Sequence, residues 1–211
     1  MESVEQATSI NIAILPSSGV SELAIALSQK VGQNFPTEFT LNHERYMPHV
    51  TIYQAHFPLK NIPLLVNELK GITSATEPFR INMEEFTISY DTFIFWICER
   101  SQALQSLHEE VVGRTNPLRE GSILPHLTQV TGLTEDDKID MQRYGALGIG
   151  PGFRPHLTIS RFSDFNDANA AINSLKEVNN KAIFEVKELI LGYLGQSGTV
   201  NGVIETFKLR E

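Results

Sequence analysis

Two short segments of this sequence carry residues suited to acid–base chemistry: Pro48-His49-Val50-Thr51-Ile52 and Pro155-His156-Leu157-Thr158-Ile159. In an extended strand the side chains at i and i+2 point to one face. His49 and Thr51 therefore project together while Val50 and Ile52 turn to a core; His156 and Thr158 do the same, backed by Leu157 and Ile159. If both strands face one cleft, two imidazoles and two hydroxyls converge, a set suited to a phosphodiester. A neutral histidine takes a proton from the attacking oxygen and a protonated one delivers a proton to the leaving oxygen, since the imidazole pKa lies near neutrality. The threonine hydroxyls hold the non-bridging oxygens as charge develops. Such a pair gives a bell-shaped pH dependence around neutrality. The likeness of the two motifs leaves open which histidine is the base and which the acid.

A third match, Pro125-His126-Leu127-Thr128, lies between them. Gln129 breaks the apolar alternation after it, charged residues 134–138 follow, and the glycine-rich stretch 145–152 reads as an inserted loop. Only His156 is followed by a helix and closing strands like those after His49. His156 is therefore the expected partner of His49, with His126 expected on a flap as a substrate contact. Arg161 is a further candidate substrate contact, its guanidinium suited to a phosphate, with Arg154 equally well explained as a solvent-facing strand end. Tyr53 shares the parity of His49 and could stack on a base, hydrogen-bond phosphate or simply pack. Phe95 and Trp96 read as core rather than as a stacking platform. His43 and His56 read as loop residues and His108 as the surface of a helix. There is no His-x-x-x-His pair with an acidic residue at ligand spacing, so neither a metal nor another cofactor is expected.

The elements that must position these residues show in the hydrophobic periodicity. Strands are expected over 10–15, 47–53, 79–90, 92–99, 153–162, 182–193 and 199–209. Helices are expected over 17–34, 59–69, 101–114 and 164–178, the first with Ser17 or Ser18 as its N-cap. Aligned on their motifs, the halves agree in order: strand, helix, then a strand containing Glu85-Phe86-Thr87-Ile88-Ser89-Tyr90 or Glu188-Leu189-Ile190-Leu191-Gly192-Tyr193. The expected fold is α+β, with two pseudo-symmetric lobes of antiparallel sheet flanked by helices and an active-site cleft between them. One domain over 1–211 is expected, its lobes intertwined and a loop inserted at 115–152.

Paired Pro-His-x-Thr-Ile strands inside repeated α+β lobes resemble the two-histidine (2H) phosphoesterase superfamily, in particular its LigT-like "2′-5′ RNA ligase" and cyclic phosphodiesterase branch. The resemblance covers nearly the whole chain. It implies a catalytic set of His49, Thr51, His156 and Thr158, with one histidine as base, the other as acid, the hydroxyls on the phosphate and no metal. The implied reaction is hydrolysis of a nucleoside 2′,3′-cyclic phosphate or an RNA-end cyclic phosphate. Close alternatives are a 2′-5′ oligonucleotide, a cyclic oligonucleotide signal or an ADP-ribose cyclic phosphate; from another class comes a nucleotide-binding module without turnover. One feature departs from the family pattern, since His126 lies nearer the usual motif spacing from His49 than His156 does.

Composition narrows the partners. The 211 residues carry a net charge of −8, which disfavours broad binding to duplex DNA or RNA, where affinity comes from neutralised phosphates. A nucleotide or an RNA end, held at one or two phosphates, remains compatible. The single cysteine, Cys98, forms no internal disulfide and builds no cysteine-based zinc site. No apolar run approaches the roughly 20 residues of a membrane span, and the first residues lack a basic, then apolar, leader. A cytoplasmic protein is expected; its oligomeric state is not specified.

Overall fold

Alternating apolar residues build eight strands, and apolar stripes of longer period build most of the helices. The computed structural model describes residues 6–210; residues 1–5, which include most of the segment read for a leader, lie outside the described residues. In chain order the elements are β1 (Ala7–Ile14), α1 (Ser18–Asn34), β2 (Val50–Pro58), α2 (Ile62–Ala75), β3 (Phe79–Ser89), β4 (Phe93–Cys98) and α3 (Gln102–Thr115). Then come α4 (Glu135–Tyr144), β5 (His156–Arg161), α5 (Phe165–Asn173), β6 (Ala182–Val186), β7 (Glu188–Leu194) and β8 (Val200–Lys208).

The strands form one antiparallel sheet in the order β6-β3-β4-β5-β2-β1-β7-β8. The two expected lobes are its halves, joined where Val50 of β2 pairs with Leu157 of β5. Outward from that seam β1 answers β4 and β7 answers β3. The helices cover one face: α1 against β5 and β6, α3 against β2, α2 against β7 and β8, α5 against β3 and β4. Ile10, Ile12, Val50, Ile52, Leu157 and Ile159 point into that core. The motif side chains are left on the opposite face.

Residues 182–193, which read as one strand, break at Lys187 into β6 and β7, and these pair with β3 and β1 respectively. In a flat sheet six strand spacings would separate them by roughly 29 Å. The single residue between them bridges no more than about 7 Å. The sheet must therefore curl until its flanks approach, which makes the face without helices concave.

The segment read as an inserted loop is folded. It contains α4 and short 3₁₀ turns at Asn116–Arg119, Pro125–Gln129 and Gly150–Gly152. Helix α4 buries none of its residues, so it shows no apolar stripe in the sequence, and its ends define it instead. Thr134 and Asp137 form a capping box at its start. Gly145 closes it at φ 71°, where an added Cβ would lie 2.6 Å from the Ser122 carbonyl oxygen, so glycine is required. The buried Arg119 guanidinium, only 4% exposed, donates to Asn116 Oδ1 and to the carbonyls of Ser122, Gln142 and Arg143 at 2.7–2.8 Å. Arg119→Met should lower stability by about 2–4 kcal/mol, read as a lower urea midpoint at unchanged slope.

Candidate functional site

The antiparallel register at the seam decides what the two motifs can do. Continuing the Val50–Leu157 pair sets His49 opposite Thr158 and Thr51 opposite His156, since directly opposed residues share a face. The four side chains thus form a two-by-two block, with Cα atoms of opposed residues about 5 Å apart. The third motif does not join it. His126 lies on the 3₁₀ turn Pro125–Gln129, outside the sheet.

Each motif strand carries a bulge just past its threonine, and the bulges reassign faces. Ile12 pairs with Tyr53 and Ala13 with Thr51, so Ile52 is the extra residue in β2. His108 of α3 donates its Nδ1 proton to the Ile52 carbonyl at 2.7 Å, and its Nε2 accepts from the Gly150 amide at 2.9 Å. His108 is accordingly buried, 0% exposed and stacked on Phe153, where a helix-surface position was expected. Past the bulge Tyr53 turns to the core side. It is fully buried, and its hydroxyl donates to the Tyr144 carbonyl at 2.6 Å and approaches Asn116 Oδ1 at 3.0 Å. Tyr53 is thus no cleft residue, because simple alternation fails at Ile52. Gln54 and His56 take the cleft side instead; His56 lies in β2 and not in a loop, with Nδ1 3.0 Å from Ser9 Oγ.

In β5 the extra residue is Ile159, between the pairs Phe95–Thr158 and Ile94–Ser160. The shift returns Arg161 to the cleft face opposite Phe93, with its guanidinium 4.9 Å from that ring centre. Arg161 also lies 3.2 Å from Glu38 and donates to Ser197 Oγ at 2.9 Å. Phe95, read as core, is on the motif face and stacks on His156 at 3.6 Å between ring centres. Phe93 and Phe95 both meet Tyr90, which is 72% exposed at the β3–β4 turn. Trp96 packs on the core side, as expected. His126 lies within electrostatic reach of Arg161: its pKa is lowered by desolvation first and then by that charge. His43 sits in an exposed loop beside Glu22, at 2.8 Å. Arg154 is exposed, and its carbonyl serves His156.

Both motif histidines are held in one tautomer. Nδ1–H of His49 donates to the Met47 carbonyl at 2.7 Å, and Nδ1–H of His156 to the Arg154 carbonyl at 2.6 Å. Nε2 is thereby left as the working nitrogen in each. Burial lowers the His49 pKa, opposed by hydrogen bonds to the Met47 and Gly198 backbone. Burial also lowers His156, to about 4, against the hydrogen bond to Arg154 and with help from the His49 and Arg154 charges. Asn11, which the sequence reading passed over, donates from Nδ2 to Thr51 Oγ1 at 3.1 Å and lies 3.3 Å from His49 Nε2. Its signal was available: a lone amide inside the apolar run Ile10-Asn11-Ile12. Among the described residues no group of three or more His, Cys, Asp or Glu side chains converges as a metal site would require.

The placement of Tyr53 generates a clear expectation. Tyr53→Phe should cost about 1–2 kcal/mol in stability and leave KM for any cleft substrate unchanged. A rise in KM without loss of stability would return Tyr53 to the cleft.

Comparison with known proteins follows the same lines. A family model described as the 2′-5′ RNA ligase superfamily matches residues 18–196. No curated protein matches the chain in sequence. Among solved structures, TT0787 of Thermus thermophilus superposes with a TM-score of 0.60 at 15% identity, over 96% of this chain and 98% of that one. E. coli LigT in apo form gives 0.58 at 11% identity, over 98% and 99%. LigT complexed with 3′-AMP gives 0.61 at 12% identity, over 98% and 100%. The chain belongs to the 2′-5′ RNA ligase superfamily, is an enzyme of that superfamily, and shares the fold of LigT.

Proposed function

We propose that this chain is a metal-independent phosphodiesterase acting on a nucleoside 2′,3′-cyclic phosphate or an RNA-end cyclic phosphate. The observation that carries the reading is the Val50–Leu157 pairing, which sets both His-x-Thr pairs on one concave face with each imidazole anchored to the backbone through Nδ1. Water attacks phosphorus as one imidazole takes its proton; the bond from phosphorus to a ribose oxygen breaks as the other imidazole protonates that oxygen. The Thr51 and Thr158 hydroxyls hold the non-bridging oxygens.

The wall beside His156 supports a nucleotide substrate. Tyr90, with the half-buried Phe93 beside it, offers aromatic surface of the kind on which bases stack, the buried Phe95 backs His156, and Arg161 adds a guanidinium for a second phosphate or a base edge. His126 would contact the substrate from the rim. LigT has been crystallised with 3′-AMP, ATP, NADP+ and phosphate, a ligand range consistent with a phosphate-plus-base site. The family's description adds a 2′-5′ linked oligonucleotide as a second substrate to be tried. The one free thiol, Cys98, is buried, which suits a cytoplasmic protein. No helix among the described residues is long and apolar enough to cross a membrane.

Incubation with the four nucleoside 2′,3′-cyclic phosphates and with short 2′-5′ and 3′-5′ oligonucleotides, followed by product analysis, tests the reading. Turnover should persist in excess EDTA; loss of activity restored by a divalent ion would replace this mechanism with a metal-assisted one. His49→Ala and His156→Ala should each lower kcat by about 10²-fold or more, whereas His126→Ala should act mainly on KM. A dead His126 variant beside a near-normal His156 variant would overturn the site.

The pKa directions also move the expected pH optimum. Turnover needs one imidazole protonated and one neutral, and both lose their protons at lower pH than an unperturbed histidine. The kcat/KM profile, which reports the free enzyme, should therefore be a bell centred on the acid side of about 6.5. A bound phosphate anion favours the protonated rings, so the kcat profile should lie to the alkaline side of it. The limbs belong to the coupled pair. A kcat/KM optimum well above pH 7 would contradict this placement.

A further inference from the structure

Asn11 is 0% exposed, and it is the one polar side chain of β1 in contact with both His49 and Thr51. Both protons of its amide are engaged, one toward His49 Nε2 at 3.3 Å and one to Thr51 Oγ1 at 3.1 Å, while its Oδ1 is buried without a partner. A buried carbonyl oxygen without a partner is unfavourable and calls for an explanation. We infer that Asn11 is a positioning residue whose amide ties the direction of the Thr51 hydroxyl to the proton on His49. This rests on the proposed acid–base reading of the motifs and deepens it.

With His49 neutral, Nδ1–H is held by Met47, and Nε2 presents a lone pair to the amide N–H. Thr51 Oγ1 accepts from the same amide, so its own proton is free to point at a phosphate oxygen in the cleft. Once Nε2 carries a proton, an N–H of Asn11 can no longer face it. A half-turn of the amide then brings Oδ1 to the spot, where it accepts from Nε2–H and from the Thr51 hydroxyl together. The oxygen gains two partners while the NH2 takes its partnerless place, so the proton on Nε2 decides which end of the amide faces the pair, and Thr51 withdraws its proton from the phosphate. Proton uptake by His49 and release of the phosphate oxygen become one event.

The other motif has no such device. The position answering Asn11 in the second half is Phe93, opposite Arg161 as Asn11 is opposite Gln54. His156 leans on Phe95 instead. The two histidines, alike in sequence, are therefore unlike in coupling. The titratable and charged groups facing His49 are His156, with Arg154 and Arg161 beyond it on β5 and its approach, and His56 on its own strand. Neither β1 nor residues 195–199 carry any.

The test has two arms. Histidine ¹⁵N NMR of the whole protein should show His49 in the Nδ1–H tautomer, titrating below the ordinary range. Asn11→Asp, a fixed acceptor of the same shape, should raise its proton affinity by about tenfold or more. In the second arm, cycles on kcat/KM should show Asn11→Leu and Thr51→Val to be non-additive, because either change breaks the same link. Asn11→Leu and Thr158→Val should be additive. An unmoved His49 titration in Asn11→Asp, or additivity of Asn11→Leu with Thr51→Val, overturns the inference. The first arm needs no substrate, so it decides the Asn11 role even if no phosphodiester is turned over and the functional reading falls. The second uses only Leu and Val replacements, and it stands if the aspartate variant does not fold.

Discussion

Everything at the cleft follows from one backbone pairing, Val50 against Leu157. It is the seam between two half-sheets, and their bulges, helices and turns are all placed relative to it. A slip by one residue would put Val50 and Leu157 on the concave face and bury both imidazoles among the helices, because strand periodicity is two. The apolar residues flanking each histidine prevent that slip. They hold the register by burial, and the register in turn holds the chemistry.

Burial has a second consequence. The sheet that orients the histidines also strips water from them, and lowers both pKa values before any substrate arrives. Both rings are therefore biased toward the neutral form near pH 7, and under the proposed function the bound anion would supply the field that recharges one of them. Under that function the substrate's charge would be part of the acid–base apparatus. The surroundings of the rings are unequal, an amide beside His49 and an aromatic stack beside His156, so a twofold scaffold gives its two histidines distinct settings.

Much of this was legible in the sequence, and what was not has a common cause. The two Pro-His-x-Thr strands, the order of elements and the pseudo-symmetry follow from short-range periodicity, and the fold shows them. The faces of Tyr53 and His56 did not follow, because the bulge at Ile52 changes parity and leaves no mark in an apolar run, and that of Phe95 was masked because its strand is apolar on both faces. The division of 182–193 at Lys187 was hidden for a related reason: a strand can change partners without changing pattern. Helix α4 escaped because it buries no residue, so only its caps could reveal it. Asn11 and His108 are polar groups that tertiary contacts, not local pattern, bring to their partners.

The single residue between β6 and β7 bears on how the molecule comes to exist at all. It sends the chain back from one half-sheet to the other, as α2 sends it out between β2 and β3, so residues 79–186 supply all four strands of one half and the two ends of the chain share the other. The half built of β2, β1, β7 and β8 forms only when both ends of the chain meet, and a cut at the midpoint would divide both halves. The seam pair itself joins residues more than a hundred positions apart, a closure whose entropy favours late formation. The site is then among the last things to assemble on the folding path. An assembled block of the two His-x-Thr pairs is thus a report that the whole topology has closed.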